Sequence, residues 1–164
     1  MLFRSLLAGL GWHLDIHPVR GQIALLNPVS RLFQHVLMWG PRYLVPRQDG
    51  RVLAGSTEEH AGYDTHTTVR AQQELLAFAC RLVPGLANAA LERGWAGLRP
   101  GSPDGLPFIG PVPGYDNLLV AAGHFRAGIQ LSPGTAQLLK EIILNQPPVI
   151  PIEPFRLDRR RGPG

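Results

Sequence analysis

The stretch Tyr43–Ser56, YLVPRQDGRVLAGS, decides the fold class. Two short apolar runs, YLVPR and RVLAGS, flank Asp49-Gly50, and an Asp-Gly pair between such runs marks a tight hairpin whose central positions call for positive φ. An antiparallel pair is therefore expected here. Outward from it, short apolar runs between glycine and proline punctuation predict strands at about 13–16, 19–26, 34–39, 42–46, 51–56, 92–99, 106–109 and 117–122. Most of the connections are too short for a crossover helix, so the pairing is expected to be antiparallel.

Two helices interrupt this pattern. The first is predicted from Thr67 or Thr68 to about Val83, with Val69, Leu75, Leu76, Ala79, Leu82 and Val83 as its buried stripe, Thr67 as its cap and Pro84-Gly85 as its stop. The second is predicted over about 129–144, burying Leu131, Leu138, Leu139, Ile142 and Ile143, with Ser132-Pro133 in its first turn. The proline-dense PPVIPIEPF beyond Asn145 is expected to be an extended tail. The fold class is α+β: a mainly antiparallel sheet with flanking helices.

Composition narrows the function classes. In 164 residues there are 19 glycines and 16 prolines, well above the ordinary level of about 12% for the two together, but 45% of the residues are hydrophobic and can build a core. Charged residues make up only 17%, which argues against a disordered charged tail. The net charge of +4 rests on arginine, Lys140 being the single lysine. Those arginines are scattered apart from Arg159, Arg160 and Arg161, and no basic stripe with interleaved aromatics marks a nucleic-acid surface. The one cysteine, Cys80, excludes an internal disulfide and is expected to be a buried thiol on a helix face. MLFRSLLAGLGW lacks a convincing cleavage site and no run approaches the ~18 apolar residues of a membrane span, so a soluble, cytoplasmic chain is expected.

Several motifs carry less than they suggest. His13 and His17 would lie about 13 Å apart on a strand ending at Pro18, too far to share a metal ion. Ser56, Glu58, Glu59 and His60 resemble a nucleophile with acids and a base, yet neighbours in sequence rarely converge on one atom, and a strand end followed by a polar loop accounts for them. No GxGxxG follows a strand and no phosphate loop is present, so these residues contain no dinucleotide-gripping turn.

Two arginines stand apart. Arg99 ends the apolar run WAGLRP, and Arg126 lies in AAGHFRAGIQLSPG, where a strand passes through flanking glycines into a helix. A guanidinium in such surroundings meets either a protein carboxylate or an anionic ligand. Free N–H groups at the helix start suit an anion or an electron-rich carbonyl.

The run WAGLRPGSPDGLPFIGPVPGYDNLLVAAGHFRAGIQLSPGTAQLL closely resembles the C-terminal part of the glycine oxidase (ThiO-type) branch of the D-amino-acid oxidase family, and HPVRGQ, YLVPRQDGRVLAGSTEEHAGYD and FRLDR match it in register. The resemblance runs from about Pro18 to Arg160. It implies an FAD-dependent oxidase that deaminates glycine or a small amine, serves thiamine biosynthesis, and gives a 2-oxo acid, ammonia and hydrogen peroxide with dioxygen as oxidant. It implies Arg99 as the substrate-carboxylate arginine, Arg126 as a second substrate residue and Tyr43 as a pocket wall. Gly123, His124, Phe125, Arg126, Ala127, Gly128, Ile129 and Gln130 would follow the flavin edge. No side chain is implied as a catalytic acid or base, since the flavin carries the chemistry. Ala127 departs from the family, which usually has asparagine there.

The implied organisation is a substrate-binding domain over 1–98, an active-site loop and the terminal strand–loop–helix of an FAD domain over 99–150, and an extended basic tail over 151–164. The family's first half, with its ADP-gripping fingerprint, is not among these residues. The alternatives are therefore an inactive fragment, or one subunit of a split flavoenzyme whose partner is an N-terminal FAD-binding subunit. Sarcosine oxidase and D-amino-acid dehydrogenase are the alternative activities.

Overall fold

Described over residues 2–159, the computed structural model runs α1 (Leu2–Ala8), β1 (His17–Asn27), β2 (Leu37–Trp39), β3 (Arg42–Pro46), β4 (Val52–Gly55), α2 (Val69–Leu82), β5 (Ala90–Gly101), β6 (Phe108–Pro111), β7 (Leu119–Ala122) and α3 (Gly128–Ile143). Short 3-10 turns occupy Pro84–Asn88 and Glu153–Phe155. The fold is mixed α+β. Five strands form one sheet in the order β2-β3-β4-β1-β5, and β6 and β7 form a second. The β2–β3, β3–β4, β1–β4 and β6–β7 pairs are antiparallel.

The hairpin predicted at Asp49-Gly50 joins β3 to β4, with Pro46 opposite Val52 and Tyr43 opposite Gly55. Its loop is wider than a two-residue turn. Arg47 N donates to Arg51 O at 2.8 Å and Gly50 N to Arg47 O at 3.1 Å. Of the Asp-Gly pair only Gly50 takes a positive φ, 89°, because a longer loop needs one left-handed residue where a two-residue turn needs two. Asp49 serves instead through its carboxylate, which accepts from Arg51 N at 3.1 Å and from Arg51 Nη2 at 2.6 Å.

The chain divides into two compact units: residues 2–18 with 99–159, and Val19–Leu98. In Val19–Leu98, Ala24 and Leu26 of β1, Leu44 of β3, and Val52 and Ala54 of β4 pack against Leu75, Phe78 and Ala79 of α2, with Leu86 closing the cluster. Helix α2 is capped by Thr68, one residue beyond the expected Thr67; the Thr68 side chain accepts from Ala71 N. Its buried residues are Ala71, Leu75, Phe78 and Ala79, whereas Val69 in the first turn is exposed. Cys80 is half-buried beside this cluster, not enclosed by it.

In the other unit, Leu7, Leu14, Ile16, Phe108, Val112, Val120 and Ala122 form a second core. The strand expected at 13–16 is absent: those residues form a coil that lends Leu14 and Ile16 to this core, and β1 continues through Pro18. The opening apolar run folds as α1, with Leu7 buried. Pro133 lies beyond the first turn of α3. Its missing N–H leaves the Ile129 carbonyl without the usual helical donor, and Ser132 Oγ donates to that carbonyl at 2.8 Å instead. The apolar face expected of α3 is only partly covered: Leu138 is buried, but Leu131 and Ile143 are exposed. The tail beyond Asn145 is not uniformly extended, because Glu153–Phe155 makes a helical turn.

Candidate active site

Arg99 lies near the end of β5, half-buried, and Arg126 lies exposed in the turn between β7 and α3. The structure brings these two segments together: Phe125 N donates to Pro100 O at 3.0 Å, so each arginine is the immediate neighbour of one partner in that bond. The connection needs unusual backbone. Gly123 has φ 82° and Phe125 φ 50°, and a phenylalanine in left-handed geometry costs on the order of 1 kcal/mol. Tertiary contacts hold it there, the Pro100 bond foremost.

The turn then feeds α3. Ala127 N donates to His124 O at 3.0 Å and Leu131 N to Ala127 O at 2.8 Å. Ala127 occupies the cap position and offers no side-chain acceptor, so the first-turn amides of a long helix are left without a side-chain cap. Gly128 begins the helix, and Ile129 and Gln130 are exposed in its first turn. The His124 ring shares a 3.0 Å hydrogen bond with Thr135 Oγ1 one helical stretch onward, and burial holds the imidazole below its ordinary pKa. A neutral His124 therefore ties the turn to α3 without adding positive charge. Ser102 Oγ, in the segment following Arg99, is buried without a hydrogen-bond partner.

Tyr43 belongs to the Val19–Leu98 unit. It is half-buried on β3, and its ring lies across the Gly55 backbone so closely that a Cβ at Gly55 would come within 2.8 Å of it. Of the sequence-predicted site residues, then, Arg99, Arg126 and the Gly123–Gln130 turn share one unit, and Tyr43 sits in the other.

GSTEEH reads in sequence as a strand end followed by a polar loop, but in the structure Glu59 anchors a buried ion-pair network. Arg20 of β1 is buried and donates to Glu59 at 2.6 Å, to Asp64, and to the His66 carbonyl at 3.1 Å. Gln22 donates to Glu59 at 2.9 Å and accepts from Thr68 N at 2.9 Å. Burial pushes the Glu59 carboxyl up, but hydrogen bonds from Thr57, Arg20 and Gln22 outweigh it and hold the group below its ordinary pKa. The network straps residues 57–68 to β1. A signal existed: Arg20 and Gln22 precede Ala24 and Leu26 at strand spacing on the core-facing side, and a buried guanidinium demands a carboxylate. His13 is exposed and His17 half-buried, and among the described residues no cluster of His, Cys, Asp or Glu could hold a metal ion. No helix among them is long and apolar enough to cross a membrane.

Residues 2–142 match the family described as "DAO: FAD dependent oxidoreductase". The chain belongs to that family. It is 42% identical over 158 residues to a glycine oxidase of Pseudomonas putida, covering 96% of this chain and 43% of that protein. A hydrogen cyanide synthase subunit HcnC of Pseudomonas protegens is 41% identical over 145 residues, covering 88% of this chain and 35% of the relative. The crystal structure of glycine oxidase from Geobacillus kaustophilus superposes with a TM-score of 0.88 at 33% identity, covering 94% of this chain and 42% of that one. The chain thus spans less than half the length of the curated relatives it matches.

The family implies FAD, and the residues present fit one part of it. The uncapped start of α3 suits an electron-rich ring carbonyl, and the orphaned Ser102 Oγ is a polar atom in want of a partner. A diphosphate-gripping glycine turn is not among these residues.

Proposed function

We propose that this chain supplies the substrate-clamping part of an FAD-dependent oxidase of glycine or a similarly small amine such as sarcosine, and that it is not an oxidase by itself. The observation that carries the proposal is the Phe125–Pro100 hydrogen bond, which ties the segments of Arg99 and Arg126 side by side. Arg99 would grip the substrate carboxylate: a planar fork donating two parallel hydrogen bonds fixes both position and rotation of a small acid, which a lysine cannot do. Arg126 would add a second positive charge, and Tyr43 would offer a wall with a hydroxyl handle. The Gly123–Gln130 turn would lie along the flavin edge, its amides and the start of α3 favouring negative charge there. FAD, when bound, supplies the acceptor for the hydride removed from the substrate Cα. The protein's contribution is orientation and exclusion of water, worth several orders of magnitude in rate when reacting atoms are held in line.

The non-autonomous part of the proposal is supported by the share of its relatives that the chain spans, and by the surface of α3. Ile129 is 91% exposed, Ile143 62% and Leu131 42%, apolar side chains of α3 left in water. An ADP-gripping part outside these 164 residues, on the same or another polypeptide, would cover such side chains and hold the cofactor. Two assays test the proposal together. The 164-residue chain, equilibrated with FAD and desalted, is expected to emerge colourless; a yellow stoichiometric complex would contradict its dependence on another part. Completed with an ADP-binding part, it is expected to release peroxide with glycine or sarcosine and much less with D-alanine. No peroxide from any of the three would overturn the oxidase assignment.

A further inference from the structure

We infer that Arg159 is a positioning residue for the arginine clamp: by locking residues 102–108 it fixes the frame from which both the Arg99 and the Arg126 segments hang. The inference rests on the proposed function. Arg159 stands far along the chain from either arginine, yet its side chain is only 7% exposed, in a stretch whose neighbours Arg156 and Asp158 lie in solvent. Its fork is fully engaged. Nε and Nη2 donate to the two oxygens of Asp104 at 2.8 and 2.9 Å, Nη2 also donates to Leu106 O at 3.0 Å, and Nη1 donates to Pro107 O at 3.2 Å. Nη1 further reaches the carbonyls of Phe155 and Arg156, at 3.4 and 3.3 Å, which binds the guanidinium to its own turn. The plane sits 3.8 Å from the centre of the Phe108 ring.

Each contact outside its own turn falls on the segment that links the two arms of the clamp. Asp104 also accepts from Leu106 N at 3.1 Å, and Gly105 N donates to Ser102 O at 3.3 Å, so residues 102–106 form a tight turn closed from inside and bolted from outside by Arg159. That turn begins immediately after β5, which carries Arg99. Phe108 is buried and pairs with Ala122 at the end of β7. Its ring also backs Gly123, where a Cβ would stand 3.5 Å from Phe108 Cδ2, and Gly123 opens the turn that carries Arg126. The Phe125–Pro100 bond then closes the circuit. Only arginine fits this place: lysine has one ammonium and could not hold both Asp104 oxygens, two carbonyls and a ring face at once.

The test uses the completed, flavin-loaded protein with Arg159→Lys and the milder Asp104→Asn, which keeps the turn's volume should the first variant fold poorly. Arg99→Ala serves as the reference. Loosening the frame is expected to lower kcat/KM for glycine about fivefold or more, with KM rising and kcat falling, since a displaced clamp both binds and aligns the substrate less well. Hydrogen exchange at the Phe125 and Leu106 amides is expected to quicken in both variants, a readout independent of turnover. Wild-type kcat/KM together with wild-type exchange at Phe125, in a variant that has lost the Asp104–Arg159 pair, would overturn the inference. Arg99→Ala separates the two levels: if it leaves KM unchanged, the clamp assignment falls, and accelerated exchange at Phe125 still decides whether Arg159 sets the frame.

Discussion

Helix α2 turns Ala71, Leu75, Phe78 and Ala79 into a core shared with β1, β3 and β4, whereas α3 buries Leu138 and Glu141 and leaves Ile129, Leu131 and Ile143 in water. Both helices are amphipathic in sequence, and both were expected to bury a full stripe. The difference lies in what surrounds them. An apolar stripe becomes core only where other elements supply a facing surface, and the strands that face α2 lie within Val19–Leu98 itself. For α3 the facing surface is largely lacking among these residues, in keeping with a chain that spans less than half of its relatives. Under the proposed function, the exposed apolar residues of α3 meet parts outside this chain.

The sharpest way to break this contrast is truncation on each helix. Leu75→Ala is expected to cost about 3 kcal/mol in urea unfolding, the range for an enclosed leucine, because it opens a cavity in a core that cannot collapse. Ile143→Ala, at an exposed position of α3, is expected to cost under about 0.5 kcal/mol in the same assay while weakening flavin retention in the completed protein. Equal destabilisation at the two sites would mean that α3 is already packed as α2 is.

The helix starts allow a smaller test of opposite sign. Thr68→Ala removes the acceptor for Ala71 N and is expected to lower stability by about 1 kcal/mol. Ala127→Asn supplies an acceptor where α3 has none and is expected to raise it by about 0.5 kcal/mol. A neutral outcome at Ala127 would indicate that its backbone, at φ −102° and ψ 11°, aims the new side chain away from the first-turn amides.

Much of this was legible beforehand, and the exceptions share a cause. The β3–β4 hairpin and both long helices follow from local signals: a turn glycine, a capping threonine and apolar spacing. The Arg99 and Arg126 segments also stand out by motif, but their adjacency through Phe125 and Pro100 does not. The illegible features depend on partners distant in sequence. Glu59 meets Arg20 across 39 positions and Arg159 meets Asp104 across 55, so strand spacing marks Arg20 as buried without naming its carboxylate, and nothing local marks Arg159. The coil at 13–16 has strand-like alternation, yet Leu14 and Ile16 are claimed by Phe108, Val112 and Val120, and no neighbouring strand pairs with it. Exposure along α3 could not be read at all, because periodicity records which face is apolar and not what covers it.

Acid should separate the two units by threshold, the smallest of the expected effects. Burial depresses the His124 pKa below 6.5, so the unfolded chain binds that proton more readily than the folded one. Stability at the start of α3 is therefore full above about pH 6.5, falls as pH drops through that value, and levels off once below the folded pKa. In Val19–Leu98 the depressed groups are the carboxylates of Asp49, Glu59 and Asp64, which titrate at lower pH. Glu59 contributes above its ordinary 4.5 and is lost only as pH falls further, and Asp49, held at about 2 by Arg51, is lost between 3.8 and that value. Protection factors, which correct for the intrinsic slowing of amide exchange in acid, are expected to fall around His124 from pH 7 to pH 5 while those around Glu59 hold. The reverse order would contradict the assigned environments.

The clamp itself is tested most directly by the KM for glycine of Arg99→Ala in the completed flavoprotein. Loss of a two-pronged, charge-assisted contact with a carboxylate is expected to raise KM about 100-fold or more, with Arg99→Lys falling in between. A KM for Arg99→Ala equal to that of the parent protein would contradict the account, since the substrate's carboxylate would then be held by something else.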